Sequence, residues 1–162
     1  MDISIKVEDY KLNIRSAVII IHENKILLHK DTRTDMYNLP GGRVEIGEPS
    51  EDTIKREILE ELGKSIILTG YAGTVENFFE MDGMKYHEIM FIHLGEFERE
   101  EDRELVSTFS NVEGKDYLVY EWVDIANIDN YRLLPTVAKE IAKLDLYPVH
   151  KLVYELENKR GK

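Results

Sequence analysis

A mixed α/β architecture, with a β-sheet flanked by helices on its faces, follows from three features of the sequence. Apolar, β-branched segments stand before, between and after two stretches with helical periodicity. Short turn-forming runs separate the strand segments at hairpin spacing. One helical stretch, Ser50 to Leu62, repeats Ile54, Ile58 and Leu62 every four residues and so lays a buried stripe along one side. At 162 residues the chain suits one domain around one core, spanning 1–162.

Asn13 to Ile21 (NIRSAVIII) and Lys25 to His29 form the first pair of buried strands, joined by His22-Glu23-Asn24. The polar run KDTRTDMYN then leads to Leu39-Pro40-Gly41-Gly42. Two adjacent glycines after a proline mark a backbone that turns sharply or approaches something closely. The first helix starts with Ser50 as N-cap and ends at Gly63, and Leu59 widens its apolar stripe. Ser65 to Phe79 and Lys85 to Phe97 are paired strands around the turn Met81-Asp82-Gly83. Tyr117 to Val123 is a further strand, with Trp122 in the core. Leu134 to Leu146 reads as a second amphipathic helix opened by Pro135, and Val149 to Lys162 as a short terminal helix. The acidic run Glu96 to Glu104 reads as a solvated loop or a fraying strand end. His87 and His93 share one strand face but stand six residues apart, which suits rim or partly buried positions better than a common metal ion.

A net charge of −11 argues against tight, sequence-independent nucleic-acid binding, which depends on Lys and Arg neutralising phosphates. A small phosphate-bearing substrate is compatible with it, because a bound divalent cation inverts the local field. The absence of cysteine excludes disulfides and thiolate metal sites. The longest apolar run, Ala17 to Ile21, is too short to span a bilayer, and MDISIKVEDY has neither a basic leader nor an apolar signal core. A cytoplasmic location is therefore expected, with no membrane association. A homodimer is left open.

The helix also presents a local conflict. Glu57, Glu60 and Glu61 are neighbours on its surface, where like charges cost roughly 0.2–0.5 kcal/mol per pair. They lie beside the apolar stripe, and hence near the protein body. Their spacing extends upstream: five residues separate Gly42 from Glu48, seven more separate Glu48 from Arg56, and Glu57, Ile58, Glu60, Glu61 and Gly63 follow.

This arrangement resembles the Nudix box, G-x5-E-x7-R-E-U-x-E-E-x-G-U with U a bulky aliphatic residue. Each fixed position is matched; Lys64 departs from the final aliphatic one, and Ile66 and Ile67 follow to supply packing. The resemblance implies a Nudix-like α/β/α sandwich. It implies Mg²⁺, with Mn²⁺ as a substitute, held by Glu57, Glu60, Glu61 and the carbonyl of Gly41. Arg56 would hold a glutamate in place through a charge-assisted hydrogen bond, and Glu48 would be structural. Members often draw one more acid from outside the box, for which Glu113 is the first candidate and Glu88 and Glu121 are alternatives. The implied activity is hydrolysis of a pyrophosphate bond in a nucleoside diphosphate linked to another moiety: a nucleotide sugar, ADP-ribose, a modified nucleoside triphosphate or a capped RNA end. The alternative is a nucleotide- or metabolite-binding sensor that does not cut its ligand. Magnesium's preference for hard oxygen ligands makes the carboxylates chemically apt. Tyr37, Phe78, Phe79 and Tyr86 are either base-stacking or strand-packing aromatics. The stretch ENFFEMDG lacks the proline associated with ADP-ribose hydrolases, and Tyr37 stands where many relatives carry tryptophan, so no single substrate is selected.

Overall fold

A computed structural model describes residues 1–104, 108–144 and 147–155. In chain order the elements are β1 (Ser4–Val7), β2 (Tyr10–His22), β3 (Lys25–Asp31), β4 (Met36–Asn38), β5 (Gly41–Arg43), α1 (Ser50–Leu62), β6 (Ile66–Met81), β7 (Met84–Phe97), β8 (Thr108–Ser110), β9 (Leu118–Asp124), β10 (Arg132–Leu134), α2 (Ala138–Lys143) and β11 (Val149–Tyr154). Short 3₁₀ turns cover Glu100–Arg103 and Ile125–Asn130.

Strand β2 is the axis of a mixed sheet. It pairs in parallel with β7 from Tyr10↔Lys85 to Ile20↔Gly95, while β7 folds back on β6 and β6 takes β11 in parallel. On its other side β2 meets β3 only at Ile21↔Ile26 and His22↔Lys25. Strand β3 pairs instead with β9 and β4, and β4 with β10. The sheet therefore divides below the β2–β3 hairpin, and the chain crosses the division between β4 and β5. There β5 returns to β2 at Ser16↔Gly42 and Ala17↔Gly41.

Alternation along β2 and β3 sorts the core into two layers. Val18, Ile20 and Leu27 face Ile54, Ile58 and Leu62 of α1, together with Phe97, Tyr120 and Trp122. Ala17, Ile19, Ile26 and Leu28 face the other way, toward Ile128, Ala138 and Ile141. Each buried valine, leucine, isoleucine or phenylalanine among them contributes roughly 1.5–3 kcal/mol. The β2–β3 and β6–β7 hairpin turns each carry two consecutive residues at positive φ, Glu23 and Asn24 (48° and 63°) and Asp82 and Gly83 (52° and 73°), the backbone that matches strand twist.

Four expectations are corrected. The second helix covers only Ala138–Lys143; Leu134 ends β10, opposite Asn38, because a residue before proline is pushed toward extended backbone. Residues 145–146 of that expected helix lie outside the described residues. The expected terminal helix begins instead as strand β11, with Val153 buried and Leu152 exposed on alternate sides; residues 156–162 lie outside the described residues. Pro49, not Ser50, caps α1, and its carbonyl accepts from the amides of Asp52 and Thr53. Leu59 is 53% exposed and adds nothing to the buried stripe. Ile66 is buried against the α1 layer, and Lys64 reaches over the Phe97 ring to Asp102 at 2.6 Å, so its alkyl stem serves where an aliphatic residue was expected.

Candidate active site

Helix α1 exchanges the expected places of a leucine and a glutamate. Leu59 faces outward, while Glu61 is only 6% exposed on the inner side with Ile54, Ile58 and Leu62. Burying a carboxylate costs free energy that the hydrophobic pattern alone would never incur. Burial raises the Glu61 pKa, with the nearby Glu57 and Glu113 adding to the rise and the hydrogen bond from Tyr120 opposing it. Tyr120, wholly buried on β9, donates its hydroxyl to Glu61 Oε2. Glu57 is half-buried one turn earlier, and burial raises its pKa as well, partly offset by Arg56.

Arg56 organises the remaining carboxylates. Its Nε and Nη2 grip Glu48 at 2.8 and 2.9 Å, Nη1 donates to Glu57 at 2.8 Å and Glu60 at 3.2 Å, and Nη2 also reaches the Arg43 carbonyl at 3.3 Å. All five guanidinium N–H groups are thereby used. Glu48 also accepts from Thr53 Oγ1 at 2.8 Å and the Glu45 amide at 3.3 Å. Arg56 above all brings its pKa down to about 2. Glu48 is thus a fixed anion that orients Arg56, which in turn orients Glu57.

The glycines seat the loop against this helix. A Cβ on Gly42 would lie 2.0 Å from Glu57 Cδ, and one on Gly41 would lie 2.1 Å from the Ser16 carbonyl oxygen. Only glycine lets β5 rest on β2 and the Glu57 carboxylate rest on the loop. Ser16 Oγ donates to the Ser50 carbonyl at 2.7 Å, and Ser50 Oγ pairs with His93 Nε2 at 3.1 Å, fixing the start of α1 to the sheet. Arg15 Nη2 donates to the Gly41 carbonyl at 3.1 Å and the Leu39 carbonyl at 3.4 Å.

Among the described residues no three of His, Asp and Glu form a ready metal cage. Glu57 and Glu61 face inward, whereas Glu60 is exposed and bound to Arg56. The set nevertheless fits magnesium, which takes one or two carboxylates and completes its octahedron with water and phosphate oxygens. Glu57 packed against the glycine loop and Glu61 held by Tyr120 supply hard oxygens, and the Gly41 carbonyl keeps one lone pair beyond its bond from Arg15.

The other expected residues have separate settings. Glu113 lies in the loop before β9, paired with Lys115 at 2.7 Å, and that loop hangs from the helix by the bond from the Val112 amide to the Glu61 carbonyl (2.7 Å). Glu121 accepts from Tyr37 at 3.0 Å. Glu88 is buried in a row across three strands, opposite Asn13 and Asn77. His87 stacks on Phe78 and His93 lies beside Tyr71; Phe79 stacks on Tyr86, and Tyr37 meets the edge of Tyr131. Sequence reasoning missed Arg15, His29, Ser16 and Tyr120. All come from strands, where period-two alternation shows burial but not which polar side chain will meet a helix from another part of the chain.

The sequence model described as NUDIX domain matches residues 12–153. A protein of Bacillus subtilis (strain 168), provisionally named 8-oxo-dGTP diphosphatase, is 42% identical over 60 residues, covering 36% of this chain and 40% of that relative. The chain thus spans less than half of that relative's length. The crystal structure of MutT NUDIX hydrolase from Burkholderia pseudomallei is 25% identical with a TM-score of 0.58, over 81% of this chain and 95% of that one. An ADP-ribose pyrophosphatase from Streptococcus suis 89-1591 has the same fold at 13% identity and a TM-score of 0.59, over 86% and 98%. With the domain match running from β2 to β11 and the box residues gathered on α1 and its glycine loop, the chain belongs to the Nudix hydrolase family.

Proposed function

We propose that this chain is a pyrophosphohydrolase that uses Mg²⁺, or Mn²⁺ in its place, to cleave a nucleoside diphosphate linked to another moiety. The observation that carries this reading is the pair Glu57 and Glu61, both drawn inward on α1, Glu57 against the glycine loop and Glu61 onto the Tyr120 hydroxyl. When bound, the cation would supply charge neutralisation for the phosphates and activation of the attacking water. Glu57 and Glu61 would hold it, Arg56 and Tyr120 would keep those carboxylates aimed, and Glu113, now paired with Lys115, would contribute a further carboxylate. The names of the relatives support a substrate among modified nucleoside triphosphates or ADP-ribose.

A panel of nucleotide sugars, ADP-ribose, 8-oxo-dGTP and capped RNA, assayed with Mg²⁺ and Mn²⁺, tests the reading. Turnover in ¹⁸O-labelled water should place the label on a phosphate product. Label on a sugar carbon would mean glycosidic cleavage and would remove the protein from this reaction class. Binding without turnover across the panel would favour the sensor alternative.

A further inference from the structure

Two nitrogen-bearing side chains flank the carboxylate pair and are left unsatisfied. His29, on β3, has both ring nitrogens buried without a hydrogen-bond partner. Its ring stacks on Tyr120, centroids 5.0 Å apart and planes at 16°, and Tyr120 is the residue that holds Glu61. Arg15, on β2, has a buried Nε without a partner, while its Nη2 lies on the carbonyls of Gly41 and Leu39, next to the glycine that receives Glu57. These two strands are the ones between which the sheet divides.

A purely structural role leaves these nitrogens unexplained. A phenylalanine at position 29 would stack on Tyr120 equally well and leave no polar atom dry. A loop clamp at position 15 needs only the terminal nitrogen that already makes it. Each buried unpaired group is destabilising and calls for a partner. We propose that Arg15 and the His29 imidazole form a phosphate subsite, receiving phosphoryl oxygens of the substrate's diphosphate on the side away from Glu57 and Glu61. Burial lowers the His29 pKa to about 4, with the Arg15 charge contributing, so at neutral pH the ring offers one N–H and one acceptor beside a permanent cation. The inference rests on the pyrophosphohydrolase reading and deepens it, naming two positioning residues for the substrate.

The test uses methylenediphosphonate, a non-hydrolysable diphosphate, titrated calorimetrically into the full chain with Mg²⁺. Arg15→Met and His29→Phe should each weaken it about tenfold or more, the loss expected for a charge-assisted or desolvated hydrogen bond. Mg²⁺ alone should bind Arg15→Met as tightly as wild type or more so, because a neighbouring positive charge is gone, and His29→Phe unchanged. His29→Gln should recover part of the diphosphonate affinity. In the wild type, the His29 ¹⁵N resonances should shift on adding diphosphonate with Mg²⁺, a readout that survives if a variant fails to fold. Unchanged diphosphonate affinity in both variants, parallel loss of metal and diphosphonate, silent His29 resonances or no diphosphonate binding by the wild type would each overturn the subsite. Failure of the parent reading looks different: no turnover on any panel member while diphosphonate still binds in an Arg15-dependent way.

Discussion

Glu61 carries the sharpest contrast between a side chain's nature and its surroundings. Its carboxylate is buried beside three aliphatic neighbours with a tyrosine hydroxyl for company, and the proposed cation would supply the compensation it lacks. Glu61→Gln should therefore lower turnover by several powers of ten in a steady-state assay, as loss of a site-organising group can. Glu51→Gln, exposed in the first turn of the same helix, should leave it within a few-fold. Stability should respond in the opposite sense. Burial raises Glu57 and Glu61 above the ordinary 4.5, so the folded state binds protons more readily than the unfolded one, and stability falls as pH rises through that interval. Without metal at neutral pH, the double variant Glu57→Gln, Glu61→Gln should melt above wild type, and the gap should close below about pH 4.5. Glu48 works with the reverse sign, losing its contribution as pH falls toward 2, but it does so in both proteins and cancels from the comparison. Mg²⁺ should raise the wild-type Tm more than matched NaCl does, by about 2.7 kcal/mol of stability at a hundredfold excess over Kd, and should barely move the double variant.

At the level of the element, α1 shows how far periodicity carries. The four-residue recurrence of Ile54, Ile58 and Leu62 placed the helix over its observed span, Ser50–Leu62, and pointed its buried side at the sheet. The same reasoning put Leu59 inward, because hydropathy alone ranks leucine above glutamate for burial. Ile58→Ala should cost roughly 2–5 kcal/mol in denaturant unfolding, whereas Leu59→Ala should stay within about 0.5 kcal/mol. Equal costs would show that the helix is rotated from the described orientation. The long strands were equally legible, since β-branched runs and hairpin turns are local signals. The short ones were not: β4, β5 and β10 have three residues each and exist because a partner from a distant part of the chain is already in place. Strand β11 is the clearest case. Its parallel pairing with β6 leaves no signature in the fourteen terminal residues, and a charged, mixed segment reads locally as a fraying helix.

For the whole molecule, one strand belongs to two half-sheets, and the chain passes from one to the other just before the glycine pair. The box motif supplied the carboxylates, glycines and Arg56 of the candidate site because their spacing is local. Arg15 and His29, on the consecutive strands β2 and β3, and Tyr120, on the distant β9, reach it only through the way that the sheet divides. The division also sorts the surface by how it tolerates cutting and splicing. A Cβ added at Gly83, on the β6–β7 turn, meets nothing within 4 Å, so a peptide tag spliced between Asp82 and Gly83 should leave catalysis and folding close to unchanged. The same tag between Leu39 and Pro40 would pry apart the seam by which the halves are joined: Val18 donates its amide to the Pro40 carbonyl at 3.0 Å, one residue before β5. Loss of activity in the second insertion but not the first, read beside circular dichroism of both, would mark this seam as a joint that must stay closed for the two halves to work as one.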